Sequence, residues 1–504
     1  MDTRPHLTKA AWFALSVATA CGASAVHASI LDTISAMPAN SWLQANNNLF
    51  SDAWTPPEHR LPSARSLGWG DRQYAIIGAW SGFGWDSQRS SLIIYGGGHA
   101  NYGGNDVYSW NANTQLWARA SLPSRIQADA NGEFFTVDGP MHAPISAHTY
   151  DNDLYLKVSD RYITFGGAAW GSGPYIKPVG SGYVRTGPYL FDLAKADGNK
   201  VGGLSGSGVD PTIAGGQMWE NRDAVSGSVR LKSFNSGVSG YAIENGKDVV
   251  YVQARAGGTR GELYRYTIND PNDSTFDTWE KVGKNVSTTS PQGSGTYAPD
   301  FNLFMRTGTS ADPFMLWDLS QAGSTNGEVW LRPTDLTNGR FSYADITRMG
   351  LDYDPLNQRF LIWGGGTDVY ALTHDDSSPW STGWTLSLLN EGDATGPGVN
   401  EYGRGILGKW QYAAELGVFV GLKNPTDGEV WFYKPGEATE ALPAYVTDLP
   451  LNTGDFRLNV ADASVFASDL TAPAAVPEPS LVAMLVAGLP LLWWTSCRSR
   501  RLAA

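Results

Sequence analysis

The chain has 504 residues and a formal net charge of −13, with 17% charged residues, 58 glycines, 20 tryptophans and 22 tyrosines. This composition favours many short strands joined by tight turns, with aromatic side chains packed between sheets, over a helical architecture. Nucleic acid is excluded as a partner, because the interior of the sequence lacks the cluster of Lys and Arg that phosphate polymers require. Both cysteines, Cys21 and Cys497, lie in terminal apolar segments, so neither disulfides nor cysteine-ligated metals can stabilise the body.

Residues 1 to 28 have the organisation of a secretory signal peptide. A short start containing Arg4 and Lys9 precedes an apolar run from 10 to 20, and small residues follow up to Ala28. This order predicts export through the secretion machinery and cleavage between Ala28 and Ser29. The alternative interpretation is an N-terminal core helix.

The other end of the chain combines a motif, an apolar segment and a basic tail. A small-residue linker at 471 to 475 precedes the motif, and an uncharged apolar run starts at 481 and extends to 497. This run is close to the shortest membrane-spanning helix, about 17 residues. Arginines stay on the cytoplasmic side of a membrane, so the body should face outward. The motif is Val476-Pro477-Glu478-Pro479, and the arginines are Arg498, Arg500 and Arg501.

This order of linker, Pro-Glu-Pro, helix and arginines resembles the PEP-CTERM sorting signal. The resemblance implies recognition of residues 476 to 479 by an exosortase and a transient inner-membrane anchor, followed by release to the cell surface or the extracellular space. A permanent C-terminal membrane anchor is the alternative. The predicted organisation is therefore a signal peptide (1 to 28), a body (29 to 470) and a sorting region (471 to 504).

The body contains a recurring pattern of a β-rich run, a glycine doublet and a second run with Val-Tyr or a near equivalent. The clearest copies place Tyr95, Phe165 and Trp363 directly before the glycines, and weaker copies without the doublet begin near 249, 301 and 417. Six units spaced by roughly 50 to 60 residues indicate the blades of a β-propeller, since a single four-stranded blade cannot bury both of its faces.

These motifs resemble the kelch repeat of galactose-oxidase-like propellers. The predicted fold is therefore all-β, a single ring of six or seven four-stranded kelch-like blades. The seventh blade, if present, should combine residues 41 to 48 with residues 455 to 460. Galactose oxidase activity itself is excluded, because its radical cofactor needs a cysteine and the body has none.

Histidines and aromatic residues are concentrated in loops of the first two repeats. The loop after a blade's second strand and the connection to the next blade open on the same face, so His99, His142 and His148 should meet at one mouth of the ring. The candidate catalytic residues are His99, Tyr102, His142, His148 and Arg185, and the candidate ligand-binding residues are Asn101, Asn105, Trp170, Tyr175 and Tyr183. Each histidine also has a purely structural interpretation, as a group that pins a loop.

Aromatic rings stack on sugar faces and arginine pairs with carboxylates, so the predicted ligand is a glycan, with a protein as the other possibility. The first hypothesis is a non-catalytic surface propeller. The second is a secreted polysaccharide lyase with His/Tyr acid-base chemistry, in which arginine neutralises a uronate. No cofactor is expected, and the spacing of His142 and His148 is not that of a standard metal site.

Overall fold

The computed structural model describes residues 29 to 61, 72 to 99, 101 to 128, 134 to 170, 177 to 179, 182 to 184, 188 to 222, 234 to 255, 261 to 284, 292 to 307, 314 to 331, 348 to 389, 396 to 398 and 404 to 436. The predicted signal peptide, sorting motif and C-terminal apolar segment lie outside these residues. Within them, no helix has the length and apolar character needed to cross a membrane.

The described chain begins with an N-terminal segment that leads into the first blade. Ser29 caps the first helix, because its side chain accepts a hydrogen bond from the Asp32 backbone N–H. The elements of this segment are α1 (Ile30–Ala36), β1 (Ser41–Gln44), 3-10 helices at Phe50–Ala53 and Pro57–His59, and α2 (Ala75–Gly78).

Six four-stranded antiparallel sheets follow, and they form the blades of the ring. Blade one is β2 (Gly84–Asp86), β3 (Ser91–Ile94), β4 (Tyr108–Asn111) and β5 (Leu116–Arg119). Its connection to blade two carries β6 (Ile126–Ala128), β7 (Phe134–Thr136) and β8 (Ala147–His148). Blade two is β9 (Asp153–Leu156), β10 (Arg161–Thr164), β14 (Tyr189–Asp192) and β15 (Trp219–Asn221). Three short strands lie between β10 and β14 and are not part of the blade: β11 (Ala168–Ala169), β12 (Lys177–Val179) and β13 (Gly182–Val184).

The remaining blades have shorter connections. Blade three is β16 (Val238–Glu244), β17 (Lys247–Arg255), β18 (Gly261–Thr267) and β19 (Thr278–Lys284). Blade four is β20 (Gly295–Ala298), β21 (Leu303–Thr307), β22 (Phe314–Asp318) and β23 (Val329–Leu331). Blade five is β24 (Gly350–Asp354), β25 (Arg359–Trp363), β26 (Val369–His374) and β27 (Trp384–Leu388). Blade six has β28 (Trp410–Ala413), β29 (Val418–Lys423) and β30 (Glu429–Lys434), and 3-10 helices occur at Leu193–Lys195, Ser274–Phe276 and Leu319–Gln321.

The blades close into a ring around their first strands. β2, β9, β16, β20, β24 and β28 contact one another in this cyclic order. One hydrophobic core lies between each pair of neighbouring blades, including the pair formed by blades six and one. Because each blade buries its two faces against its neighbours, the expected all-β propeller is confirmed, with six blades of four strands.

The N-terminal strand closes the ring as the outer strand of blade six. β1 pairs antiparallel with β30, and Trp42 of β1 packs against Trp363 and Trp410 with centroid separations of 5.3 and 5.8 Å. The prediction that residues 41 to 48 belong to a seventh blade is therefore wrong. Without β1, the sheet of blade six would have three strands and an unpaired edge at β30. The N-terminal strand pairs with this edge and supplies the hydrogen bonds that it would otherwise lack. Residues 455 to 460 lie outside the described residues.

The repeat copies occupy equivalent places in their blades. Tyr95, Phe165 and Trp363 lie at the end of the second strand in blades one, two and five, and all three are buried. In each case a tyrosine of the third strand lies opposite the residue just before the aromatic: Ile94 with Tyr108, Thr164 with Tyr189, and Ile362 with Tyr370. The predicted alignment of these copies is confirmed.

Candidate functional site

One face of the ring, which we call the entry face, is where the chain enters the first strand of each blade. It carries the segments before β2, β9 and β28 and the loop between β3 and β4. We call the opposite face, which carries the turns between first and second strands, the hairpin face. The entry face gathers residues from blades one, two and six into one site.

The glycines after β3 and β10 let this face pack closely. A Cβ atom at Gly98 would lie 2.2 Å from the Ala147 Cα atom, and a Cβ atom at Gly167 would lie 1.8 Å from the His148 carbonyl oxygen. Only glycine fits such contacts, so both runs hold the segment that carries His148. The backbone of His148 is further fixed by pairing with Ala168.

His99 and His148 meet at this face, with ring centroids 5.6 Å apart. His148 is 2% exposed and its Nε2 lies 2.8 Å from Asn101 Oδ1, so Nε2 carries the proton and donates it to this amide oxygen. Burial, and then the positive charges of His99 and Arg404, hold the pKa of His148 well below its usual value. His148 is therefore a neutral imidazole at physiological pH, and its remaining lone pair is on Nδ1.

Trp80 and Arg404 complete this site beside the two histidines. The Trp80 ring centroid lies 4.8 Å from that of His148, and the Arg404 guanidinium carbon lies 4.7 Å above the Trp80 ring. Both side chains are half-buried, and none of the described carboxylates pairs with Arg404. An arginine stacked on an indole and lacking a counter-ion can bind an anion with its remaining donors.

Several residues of this face have a left-handed backbone although they are not glycine. Trp80, His99, Tyr150 and Leu407 have φ angles of 43°, 48°, 54° and 53°. Their segments are joined by backbone hydrogen bonds, from Tyr150 N to Trp80 O at 2.7 Å and from Gly408 N to Tyr150 O at 3.2 Å. Such conformations cost about 1–3 kcal/mol each and cluster at functional sites.

A buried lysine supports the segment that carries Trp80. Lys409 is 4% exposed, and its ammonium group donates a 3.1 Å hydrogen bond to the Ser81 carbonyl oxygen. Burial lowers its pKa to about 7. Lys409 thus connects blade six to the Trp80 segment.

Three of the predicted site residues belong to the interior instead. Tyr102 is fully buried and its hydroxyl donates to Asp106, while the Asn105 amide bonds to Ser124 and to the Pro144 carbonyl oxygen. Trp170 is 5% exposed and packs beneath Gly103. These side chains hold the loops of blades one and two together, so we do not include them in the candidate site.

Two of the three histidines that were predicted to meet, His99 and His148, are in contact. His142 is exposed in the turn after Gly139, and no hydrogen bond or ring contact joins it to His99 or His148 within the described chain. The turn is held at Pro140, whose carbonyl oxygen accepts hydrogen bonds from Tyr189 and Asn221 of blade two. Tyr175 and Arg185 lie outside the described residues, and only the backbone of Tyr183, in β13, is described.

No group of three potential metal ligands occurs in the part of the chain that the structure describes. The Nδ1 atom of His99 is buried and has no hydrogen-bond partner among the described residues.

The sequence-based reasoning missed Trp80 and Arg404. Each precedes the first strand of its blade, in segments 78 to 83 and 404 to 409. Connections between blades open on the entry face throughout the ring, so the segments that precede the first strands of all six blades indicate both residues.

Comparisons with known proteins add little to this description. No family model and no curated protein matches the chain. Among solved structures, the WD40 domain of coronin from Toxoplasma gondii is similar at 10% sequence identity with a TM-score of 0.33, covering 80% of this chain and 88% of the other. The sheet order and the six interblade cores define the fold of the present chain.

Proposed function

We propose that the protein is an exported cell-surface or extracellular-matrix propeller that binds an acidic glycan at its entry face. The arrangement of Arg404 on Trp80, without a carboxylate partner among the described residues, is the observation that carries this proposal. The indole offers a face for a sugar ring, and the guanidinium offers donors for a uronate carboxylate or a sulfate. His99 lies beside them with an unsatisfied Nδ1 atom.

The choice of a glycan over a protein follows from the form of the site. Stable protein–protein interfaces bury about 1,200–2,000 Å², whereas here a few polar and aromatic groups from blades one, two and six lie within a few ångströms of one another. An anionic group is favoured because the Arg404 guanidinium lies over the Trp80 ring and pairs with none of the described carboxylates.

A screen of the mature protein against acidic and neutral polysaccharides, read by isothermal titration calorimetry, tests this proposal. His99→Asn should weaken binding to an acidic polymer, because asparagine tolerates the left-handed backbone but lacks the imidazole. His142→Asn is the matched control and should leave binding unchanged. Equal binding by wild type and His99→Asn, or no preference for acidic polymers, would reject the proposal.

A second candidate function is a polysaccharide lyase, and the neutral state of His148 favours it. A base near a uronate must be unprotonated, and Arg404 could stabilise the negative charge that develops on the carboxylate. A lyase releases an unsaturated uronate that absorbs in the ultraviolet, whereas a binding protein leaves polymer length unchanged. Absorbance and polymer length after incubation with an oligouronate therefore separate the two functions.

Export and sorting are part of the same proposal. The α1 capping box fits a mature chain that starts at Ser29, because the backbone nitrogen of Ser29 lies 3.2 Å from Asp32 Oδ2, where a charged terminal amine would be stabilised. Mass spectrometry of the surface form should show Ser29 as the first residue and loss of Arg498 to Arg501 only in a strain with an exosortase. Retention of these arginines in such a strain would favour the permanent anchor.

A further inference from the structure

A cavity of about 350 Å³ lies on the axis of the ring, lined by the first strands of all six blades. This volume is at the lower end of small-molecule sites, which measure about 300–1,000 Å³. Each first strand contributes at least one aromatic residue to the wall, and β28 also contributes Trp410. Six of these residues, one from each blade, are Trp85, Tyr155, Tyr241, Tyr297, Tyr353 and Tyr412.

The six aromatic residues are structurally equivalent. Each lies opposite a second-strand residue across its hairpin, in the pairs Trp85 and Leu92, Tyr155 and Tyr162, Tyr241 and Val250, Tyr297 and Phe304, Tyr353 and Phe360, and Tyr412 and Phe419. The cavity therefore has a belt of aromatic side chains near the hairpin face.

Asp151 closes the cavity toward the entry face. Its Oδ2 atom accepts a 2.6 Å hydrogen bond from Gly295 N and lies 2.9 Å from the Ser294 hydroxyl, which is also 3.1 Å from the Leu407 carbonyl oxygen. These contacts join blades two, four and six across the axis. A ligand would therefore enter from the hairpin face and meet Asp151 at the inner end.

The Asp151 Oδ1 atom accepts no hydrogen bond from the described residues. Asp352, by contrast, is engaged, since it accepts from Thr296 and from the Tyr412 backbone. At the hairpin face, Glu415 Oε1 accepts from the Trp85 indole, and Glu415 Oε2 is buried without a partner in the described chain. The unpaired carboxylate oxygen at the inner end of the cavity is therefore Oδ1 of Asp151.

Carboxyl groups outnumber basic groups around this cavity. Asp151, Asp352 and Glu415 line it, and Lys157 is the one basic residue in the lining. Three of the tyrosine hydroxyls donate hydrogen bonds to further carboxylates: Tyr155 to Asp160, Tyr241 to Asp248 and Tyr353 to Asp300. Of these, Asp160 is neutralised by Arg89. This excess of carboxylates disfavours an anionic ligand and attracts a cation.

We propose that the axial cavity binds a small aliphatic ammonium compound, with its ammonium group at Asp151 and its hydrocarbon part between the aromatic rings. From Asp151 to Tyr155 the wall spans four residues, about 13 Å of extended strand. A chain with a single charged end matches a narrow site that has a carboxylate at its floor and aromatic walls, where apolar contacts of the hydrocarbon part add to the ion pair. The cavity lies on the axis and opens at the hairpin face, whereas Trp80 and Arg404 lie at the entry face, so its occupancy does not depend on the function proposed for that face.

Burial gives the proposed site a defined pH dependence. It raises the pKa of Asp151 to about 8, that of Glu415 to about 7 and that of Asp352 to about 6. A bound cation favours the ionised carboxylates, so binding releases protons. Affinity should therefore rise from pH 6 to pH 9, while the ammonium group of an alkylamine, with a pKa of about 10.4 in lysine, remains charged.

Calorimetric titration of the full chain with hexylamine, hexanol and sodium hexanoate tests the proposal. Hexylamine should bind, with proton release that depends on the buffer, and the two other probes should bind at least tenfold more weakly. Asp151→Asn retains an oxygen that can accept from Gly295 and Ser294, so the fold is kept, but hexylamine affinity should fall by roughly 10- to 150-fold, as for loss of a charged hydrogen bond.

Two further variants keep the outcome unambiguous. Glu415→Gln should weaken hexylamine binding less than Asp151→Asn does, because Glu415 lies at the opposite end of the cavity from the ammonium group. Asp376→Asn, on the exposed loop after β26, is the matched control and should bind as the wild type does. Equal binding of hexylamine and hexanol, an unchanged affinity in Asp151→Asn, or no binding of hexylamine at all would overturn the proposal.

Discussion

Replacement of Trp42 tests the closure of the ring by the N-terminal strand. Trp42 is 7% exposed, and its ring packs against Trp363, Trp410 and Tyr433. Its indole nitrogen also donates a 2.9 Å hydrogen bond to the Thr367 carbonyl oxygen in blade five. The side chain therefore links the N-terminal strand to two blades.

The expected cost of Trp42→Ala follows from these contacts. A tryptophan buries about 150–250 Å², which at about 25 cal/mol per Å² corresponds to about 4–6 kcal/mol. Measured Trp→Ala substitutions in cores cost about 3–5 kcal/mol, and loss of the hydrogen bond adds about 1 kcal/mol. We expect the free energy of unfolding to fall by about 4–5 kcal/mol, a large part of the stability of a typical protein.

Urea denaturation followed by circular dichroism measures this loss. Leu49→Ala is the control in the same N-terminal segment, because Leu49 is 45% exposed, and its effect should stay within about 0.5 kcal/mol. If Trp42→Ala were no more destabilising than Leu49→Ala, β1 would not complete blade six, and the six-bladed closure described here would be wrong.

Three other predictions concern the loops, the buried acid and the buried histidine. Gly98→Ala should destabilise the protein by more than about 2 kcal/mol in thermal or urea unfolding, because the new Cβ atom would overlap Ala147. Gly366→Ala should be tolerated, because Gly366 is at the equivalent place in blade five and has nothing within 4 Å of its Cβ position. Similar losses of stability in both variants would contradict this packing. Asp151 binds its proton more tightly in the folded state, so its contribution to stability is present at acid pH and is lost as pH rises from about 4 to about 8. In this range the stability of Asp151→Asn should fall less steeply than that of the wild type, by up to about 1.4 kcal/mol per pH unit. Parallel pH profiles of the free energy of unfolding for variant and wild type would refute this prediction. Burial lowers the pKa of His148 in the folded state, so its protonation on unfolding destabilises the protein as pH falls below about 6.5. NMR titration should show that its ring is still neutral at pH 6. A titration midpoint at the usual value for histidine would contradict its burial.

The ring and its repeat could be predicted from the sequence because their signals are local. A glycine doublet after a β-rich run marks the end of the second strand, and the aromatic before it, such as Phe165, must face a neighbouring blade. The number of blades was less accessible. It depends on whether Ser41–Gln44 pairs with the last blade or begins another one, and only the long-range pairing with β30 decides this.

The candidate site was predicted only in part, since proximity on a face does not determine where a side chain points. His99 and His148 meet as expected, yet Tyr102 points inward because Asp106 needs a hydrogen-bond donor in the core. The axial belt of aromatics could not be recognised in the sequence, because its members are separated by loops of different lengths. The hairpin that follows Tyr241 is also two residues longer than those that follow the other five aromatic residues, so the spacing in the sequence does not match.

The central claim is that Arg404 and Trp80 form an anion-binding sugar site on the entry face, and the affinity of the mature protein for an oligouronate tests it most directly. Arg404→Gln should weaken binding by roughly 10- to 150-fold, the range for loss of a hydrogen bond to a charged group. Lys247→Gln removes the same charge on the hairpin face and should leave the affinity unchanged. An equal loss of affinity in both variants would mean that binding depends only on net charge. An unchanged affinity in Arg404→Gln would contradict the proposed site itself.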